Sequence, residues 1–195
     1  MTILQTYKSI ILTAACQSIE IGIKTGEPFL PPSENIDPVL LAPGASFVTL
    51  EINERLRGCI GSLEPRRALL NDIASNAYAA AFRDPRFPPV DSHELSQLYV
   101  TVSVLSEPER LECKDEQDCL RKLRPEVDGL IISDNNKHAT FLPSVWSSLS
   151  TPELFLTELK KKAGFAPDYW SASMQVSRYT TEHISAEYSE IIHED

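Results

Sequence analysis

The residues best suited to chemistry lie in a short run at 56–61, which reads LRGCIG. We interpret this run as part of a β-strand, in which successive side chains point to opposite faces. Arg57 and Cys59 then share one face, so that a guanidinium stands beside a thiol. A nearby positive charge favours the thiolate over the thiol, because only the anion gains the Coulomb energy. Cys59 is therefore a candidate nucleophile or thiolate ligand, and Arg57 is the candidate for activating it.

Two glycines border the candidate thiol. Gly61 lies on the same face and leaves it notched beside the sulfur, whereas Gly58 thins the opposite face, where another backbone or a ligand could come close. Glycine within a strand is costly for stability, which favours a role for both positions in packing or binding. The structural alternative is that Cys59 is a small apolar filler, since free cysteine is among the most buried residue types.

A second run, RDPRFPPV at 83–90, supplies charged candidates on a stiff loop. Arginine presents a planar fork of donors that suits carboxylate or phosphate, so Arg86, with Asp84 beside it, is a candidate for binding a small anionic substrate. The alternative is that these two residues pair with one another or cap the preceding helix. A catalytic cysteine usually needs a base. No histidine is local to the thiol, and His93 and His138 are either bases that the fold brings close or ordinary surface histidines.

Composition narrows the class of function. The net charge is −10 and the pI is near 4.9, so the chain repels phosphate backbones and anionic lipid, and we expect neither nucleic-acid nor membrane binding. Residues 51–90 are the exception, because six arginines stand there against five acids. The four cysteines and four histidines follow no metal-binding spacing, so no metal site is predicted, and the sequence identifies no cofactor. The spacing of the cysteines indicates no pairing between them, which fits a reducing compartment, and no apolar run is long enough to span a membrane. Together these observations predict a cytoplasmic protein.

The elements that must position these residues follow from periodicity and from helix-breaking residues. Apolar residues at three- and four-residue steps predict a helix over 3–24, and five prolines make 27–44 an extended, irregular connector. Strands at 45–51 and 56–63 form a hairpin, and Pro65 opens a helix that runs to Phe82.

Further elements complete the fold class. They are a strand at 98–105, a helix at 115–124, a hairpin of 129–133 with 139–142, a helix from Pro152 to Gly164 and a strand at 175–181. The acidic tail 183–195 is expected to fray. Hairpins interspersed with helices, without a regular βαβ alternation, predict an α+β fold in which helices pack on a largely antiparallel sheet, within a single domain over 1–195.

The same residues carry a resemblance to a known family. LRGCIG at 56–61 resembles the signature hexapeptide of the AMMECR family, and the match continues in order through nearly the whole chain. Further matching segments are FVTL at 47–50, DPRFPPV at 84–90, VSVLSEPE at 102–109, DGLII at 128–132, FLP at 141–143 and KAGF at 162–165. LRGCIG together with DPRFPPV is highly specific for this family.

The resemblance implies a larger and a smaller subdomain, with a cleft between them that the LRGCIG cysteine lines. Carried over position by position, it points to Arg57, Gly58, Cys59, Gly61, Asp84 and Arg86. Bacterial members are called AmmeMemoRadiSam system protein A, because they accompany a Memo-like protein and a radical-SAM enzyme. The resemblance supplies no reaction, since a shared fold does not fix a function.

Two functional hypotheses follow. In the first, the protein is a cysteine-dependent enzyme that carries out acyl or group transfer on a small anionic, nucleotide-like substrate, held by Arg57 and Arg86. In the second, it is a binding or adaptor module for the Memo-like protein or the radical-SAM enzyme, and Cys59 merely packs.

Overall fold

The computed structural model describes residues 2–192. Its α-helices are α1 (Ile3–Thr6), α2 (Lys8–Thr25), α3 (Pro38–Leu41), α4 (Leu69–Phe82), α5 (Glu116–Lys122), α6 (Pro152–Lys162) and α7 (Tyr188–Ile192). Its strands are β1 (Pro43–Gly44), β2 (Ser46–Ile52), β3 (Arg55–Gly61), β4 (Arg67–Ala68), β5 (Tyr99–Leu105), β6 (Glu109–Arg110), β7 (Gly129–Asp134), β8 (Lys137–Phe141), β9 (Gln175–Tyr179) and β10 (Thr181–Glu187). Short 3₁₀ helices lie at Ser92–Gln97 and Pro143–Ser147. Helices combined with antiparallel strand pairs confirm the predicted α+β class.

These elements divide into two compact units. Unit 1 contains the residues up to Leu105 together with those from Glu182 onward, and unit 2 is Ser106–Thr181. The predictions of a single domain over 1–195 and of a cleft between two subdomains stay predictions.

Unit 1 is built on a four-stranded sheet with the strand order β10-β5-β2-β3, which leaves β3 at one edge. The side chains of β2 and β5 alternate between its two faces, and Val48, Leu50, Val100 and Val102 are completely buried on one of them. Helices α2 and α4 contribute their buried residues to the same core. The strand predicted at 98–105 is thus confirmed, and its apolar face lies inward.

The long N-terminal helix is present as predicted, with a break at Tyr7 that separates α1 from α2. Gly26 ends α2 in left-handed backbone, with a φ of 76°, which a residue without a side chain adopts at little cost. Gly22 lies inside α2. There it leaves room for the rings of Tyr78 and Phe82 on α4.

Helix α4 begins at Leu69 and not directly after Pro65, so the predicted helix start was wrong. The two residues before Leu69 form β4, which pairs with β1 from within the proline-rich connector. Arg67 fixes this arrangement, because its Nε donates to Asp72 at 2.8 Å and its Nη1 donates to Ser75 at 2.8 Å. Strand pairing and these side-chain bonds therefore outweigh the local preference for helix.

The hairpin that carries the candidate thiol has a two-residue turn. Asn53 and Glu54 both have left-handed backbone, with φ of 51° and 61°, as in the type I′ turns whose twist matches the flanking strands. A one-residue register shift interrupts the ladder after Leu50, and Arg57 is the extra residue on β3. Strict alternation of side chains along β3 is therefore broken at Arg57.

Unit 2 is built on a second four-stranded sheet, in the order β6-β9-β7-β8. The predicted hairpin between β7 and β8 turns at Asn135 and Asn136, both in left-handed backbone. Helices α5 and α6 contribute their buried apolar residues to one core, in which the ring of Phe155 stacks on Trp146 with 3.9 Å between centroids. Thr151 is the N-cap of α6, and its side chain accepts a hydrogen bond from the Leu154 amide.

The end of the chain is more ordered than predicted. Residues 183–187 belong to β10 and residues 188–192 form α7, so the expectation of a fraying tail from 183 was wrong over this range. The physical reason is that Ile184, Tyr188 and Ile191 pack into the core of unit 1 despite the acidic residues between them. Residues 193–195 lie outside the described part of the chain. Within residues 2–192, no helix is both long and apolar enough to cross a bilayer.

Candidate functional site

Cys59 lies on the edge strand β3, opposite Thr49 on β2. Its side chain is half-buried, and the Thr49 hydroxyl donates a hydrogen bond to Sγ at 3.3 Å. The main-chain groups of Cys59 point away from β2, so the two residues form the closer, non-hydrogen-bonded kind of antiparallel pair. That closeness is what brings the hydroxyl onto the sulfur.

The outer edge of β3 at Cys59 is occupied by the loop that follows α4. Asp84 Oδ2 accepts a hydrogen bond from the Cys59 amide at 2.9 Å, and Arg86 Nη2 donates one to the Cys59 carbonyl at 3.3 Å. These two side chains therefore take the place that a neighbouring strand would have. They fix the main chain of Cys59 while leaving its thiol on the sheet face.

Asp84 and Arg86 form a bidentate ion pair. Arg86 Nε donates to Oδ1 at 2.9 Å and Nη2 donates to Oδ2 at 2.6 Å, and the Arg86 amide donates to Oδ1 at 3.1 Å. The Arg86 side chain is 53% exposed, whereas that of Asp84 is 2% exposed. The hydrogen bonds from Arg86, followed by the amides of Cys59 and Arg86, hold the pKa of Asp84 far below its usual range despite burial. The predicted alternative, that the two residues pair with each other, is confirmed alongside their contact with Cys59.

Arg57 is committed to a different partner. Its Nε and Nη2 donate to Glu94 at 2.7 and 2.9 Å, and its Nη1 and Nη2 donate to the carbonyls of Pro88 and Pro89 at 2.9 and 3.2 Å. Only 12% of the side chain is exposed. Hydrogen bonding to Glu94 raises the pKa of Arg57 and lowers that of Glu94. Arg57 on β3 thus binds the 84–94 segment through its side chain. None of its hydrogen bonds within residues 2–192 goes to the Cys59 thiol.

Both glycines of the motif are explained by packing within unit 1. Gly58 lets the carbonyl of Ala80 on α4 come against β3, in the space that a side chain would fill. The ring of Phe47 covers Gly61, so the notch predicted beside the sulfur is occupied by protein atoms. The expectation that another backbone approaches at Gly58 is confirmed.

The structure gives no contact that supports His93 or His138 as a base for the Cys59 thiol. The side chain of His93 is 95% exposed and its Nε2 lies 3.9 Å from Asp91, and His138 is an exposed residue of β8. Within residues 2–192, no histidine forms a hydrogen bond with Cys59. The same part of the chain contains no group of three His, Cys, Asp or Glu side chains that could hold a metal ion.

Two residues of the site were not predicted. Glu94 gave no local signal, because its partner Arg57 is 37 positions away. Thr49 was missed because a two-residue turn without a register shift places Thr49 opposite residue 58, whereas the shift places it opposite Cys59. The chemistry available at the site is thus that of a thiol with one hydroxyl donor and a half-exposed guanidinium nearby.

Comparison with known proteins gives a consistent assignment. The family model described as AMMECR1 matches residues 12–184. A protein of Methanothermobacter thermautotrophicus is 43% identical over 119 residues, which cover 60% of this chain and 62% of that protein. A protein of Saccharolobus solfataricus is 39% identical over 137 residues, or 65% of this chain and 59% of that protein. The chain spans about three fifths of the length of these curated relatives.

A solved structure is similar over the full fold. The crystal structure of an uncharacterized protein from Pyrococcus horikoshii matches with a TM-score of 0.84 at 34% identity, covering 95% of this chain and 94% of that one.

Proposed function

The chain belongs to the AMMECR1 family, and from that premise we propose that it is a cysteine-dependent enzyme that transfers an acyl or related group from a small anionic, nucleotide-like substrate. Cys59 is the nucleophile in this proposal, and Arg86 binds the anion. Arg57 serves as a positioning residue and not as the anion ligand assigned to it from the sequence.

The observation that carries the proposal is the role of the Cys59 sulfur as a hydrogen-bond acceptor. It accepts a hydrogen bond from the Thr49 hydroxyl. A hydrogen bond donated to the sulfur stabilises a thiolate more than a thiol. Cys113, the other half-buried cysteine, has the opposite role, because its thiol donates to the carbonyl of Leu111. Of the two, Cys59 is therefore the better placed for nucleophilic chemistry.

Arg86 supports the second half of the proposal. Its Nε and Nη2 bind Asp84 and Cys59, whereas no residue within 2–192 accepts a hydrogen bond from Nη1. Half of the side chain is exposed, and the guanidinium lies over the ring of Phe87 at 5.5 Å. A guanidinium held in this way offers its remaining N–H groups to a carboxylate or phosphate at little further entropic cost.

The chemical step balances without a cofactor. The Cys59 sulfur attacks the carbonyl carbon of an activated acyl group, a C–S bond forms, and the bond from that carbon to the leaving oxygen breaks. The thiol proton passes through solvent to the leaving group, since no histidine within residues 2–192 forms a hydrogen bond with the sulfur. Attack of an acceptor on the thioester then releases the product and restores the thiol.

Acetyl phosphate is a suitable probe, because it joins an acyl group to a small anion. We expect mass spectrometry to find acetylation at Cys59 faster than at Cys113, and at least tenfold slower labelling of Cys59 in Arg86→Gln. Arg66→Gln is the matched control, because the Arg66 side chain is 80% exposed and its ion pair within residues 2–192 is with Glu64. Labelling of both cysteines at one rate, or equal rates in the two variants, would refute the proposal.

The second candidate is a binding module for a Memo-like protein or a radical-SAM enzyme. It is favoured by the way the motif residues bind each other: Arg57 with Glu94, and Arg86 with Asp84. If the protein is a binding module, Cys59→Ser should still co-purify with the partner, and cells that carry it should behave like wild type. Retained co-purification with a lost phenotype favours the enzyme.

A further inference from the structure

Two of the free cysteines, Cys113 and Cys119, belong to unit 2 and lie just before α5 and within it. The segment before the helix runs along its side, because the Glu112 carbonyl accepts a hydrogen bond from Lys122 Nζ at 2.6 Å. One residue after Cys113, the amide of Lys114 donates to Asp118 Oδ2 at 3.1 Å. Cys113 lies between these two anchors and is therefore pressed against α5.

Cys119 faces this segment from within the helix. Asp115 is the N-cap of α5, which makes Cys119 the fourth residue of the helix beside which the 112–114 segment lies. Cys119 is completely buried in the core of unit 2, and the half-buried Cys113 packs against the same core. Burial raises the pKa of both thiols; beyond burial, Cys119 lowers the pKa of Cys113 and Cys113 raises that of Cys119.

We propose that Cys113 and Cys119 form a reversible intramolecular disulfide on exposure to hydrogen peroxide, which makes the start of α5 an oxidation site of this chain. Cys113 is the thiol that peroxide reaches, because it is partly exposed, and Cys119 is the resolving thiol. Cys16 is completely buried in unit 1, and the hydrogen-bond partner of the Cys59 sulfur is a hydroxyl and not a second thiol.

The reaction is a two-electron oxidation of the dithiol. The Cys113 sulfur attacks a peroxide oxygen, an S–O bond forms, the O–O bond breaks, and the leaving hydroxide takes the thiol proton to become water. The Cys119 sulfur then attacks the resulting sulfenic acid at sulfur. The S–S bond forms, the S–O bond breaks, and the second water leaves with the proton of Cys119. A dithiol reductant reverses the sequence.

The test is peroxide treatment of the folded chain, followed by thiol titration and mass spectrometry. Among the four free thiols, we expect Cys113 and Cys119 to be lost together, with a disulfide-joined peptide whose mass is lower by two hydrogens and with full recovery in dithiothreitol. Trypsin cleaves after Lys114, between the two cysteines, so the disulfide joins two peptides that separate on reduction.

Variants make the assignment specific. Cys113→Ser keeps Cys119 reduced, whereas Cys59→Ser, the matched control, still loses the two thiols. The proposal is overturned if the joined peptides contain Cys16 or Cys59, if Cys113 advances to a sulfinic acid while Cys119 stays reduced, or if all thiols persist. Because the joined peptide is sought in the unmodified chain, a variant that fails to fold does not affect the result.

Discussion

Replacement of Asp84 by asparagine tests the arrangement that holds Cys59 at the edge of β3. The change keeps the shape of the side chain but removes its charge and one of its two acceptor oxygens. Asp84 accepts four hydrogen bonds, from the Cys59 amide and from the amide, Nε and Nη2 of Arg86. In Asp84→Asn, an NH₂ group faces two of these donors and cannot accept from them.

The cost follows from the number of bonds lost. Hydrogen bonds to charged groups contribute about 1.5–3 kcal/mol each, and the half-exposed Arg86 regains part of this from water, so we expect a loss of about 3 kcal/mol. For a chain of 195 residues this lowers Tm by roughly 6–12 °C. Thermal and urea unfolding followed by circular dichroism measure it. Asp168→Asn, at an exposed position, is the control and should change stability by less than about 0.5 kcal/mol.

The pH dependence gives a second readout for the same variant. The pKa of folded Asp84 lies below that of an unfolded carboxyl, chiefly through its hydrogen bonds to Arg86. Its contribution is therefore complete at neutral pH and is lost as the pH falls from about 4 toward the folded pKa. The difference in unfolding free energy between wild type and Asp84→Asn should shrink in acid. A variant no less stable than the Asp168→Asn control, or a difference that grows in acid, would refute the reasoning.

Three further predictions concern packing within the two units. Gly58→Ala should destabilise by about 1–3 kcal/mol and by more than Gly61→Ala in urea unfolding, because the first meets helix backbone and the second meets a ring that can turn; the opposite order would contradict this. Glu94→Gln should lower Tm by a few degrees, since it weakens a bidentate pair with an arginine, and an unchanged Tm would argue against a fastening role. In timed iodoacetamide labelling read by mass spectrometry, Cys16 and Cys119 should react last, because both are buried and burial raises their pKa values; early reaction of either would contradict the described cores.

The elements that the sequence predicted correctly are those with strong local signals. Both hairpins turn at residues that tolerate left-handed backbone, such as Asn53 and Asn135, and Gly26 marks the end of α2. The start of α4 was mispredicted, because strand pairing between residues distant in sequence decided it. Lys160 is completely buried, which its residue type argues against, and it is stabilised there by Glu116 from another helix.

The sequence predicted which residues belong to the candidate site but not which of them bind one another. Asp84, Arg86 and Cys59 do meet, as the motifs indicated. The orientation of Arg57 could not be predicted, because it depends on the register shift in β3 and on a glutamate far along the chain. Side chains alternate between the two faces of a sheet only where the strand pairing is regular. Here the pairing is interrupted at Arg57, the residue that was predicted to activate the thiol.

The position of β3 at the rim of its sheet has a consequence for the behaviour of the protein in solution. An exposed edge strand with unpaired amides and carbonyls can pair with strands of other molecules, which is a common route to aggregation. At Cys59 both groups are already bound by the side chains of Asp84 and Arg86. The ion pair thus shields this part of the rim, and its loss would promote self-association of the chain as well as lower its stability.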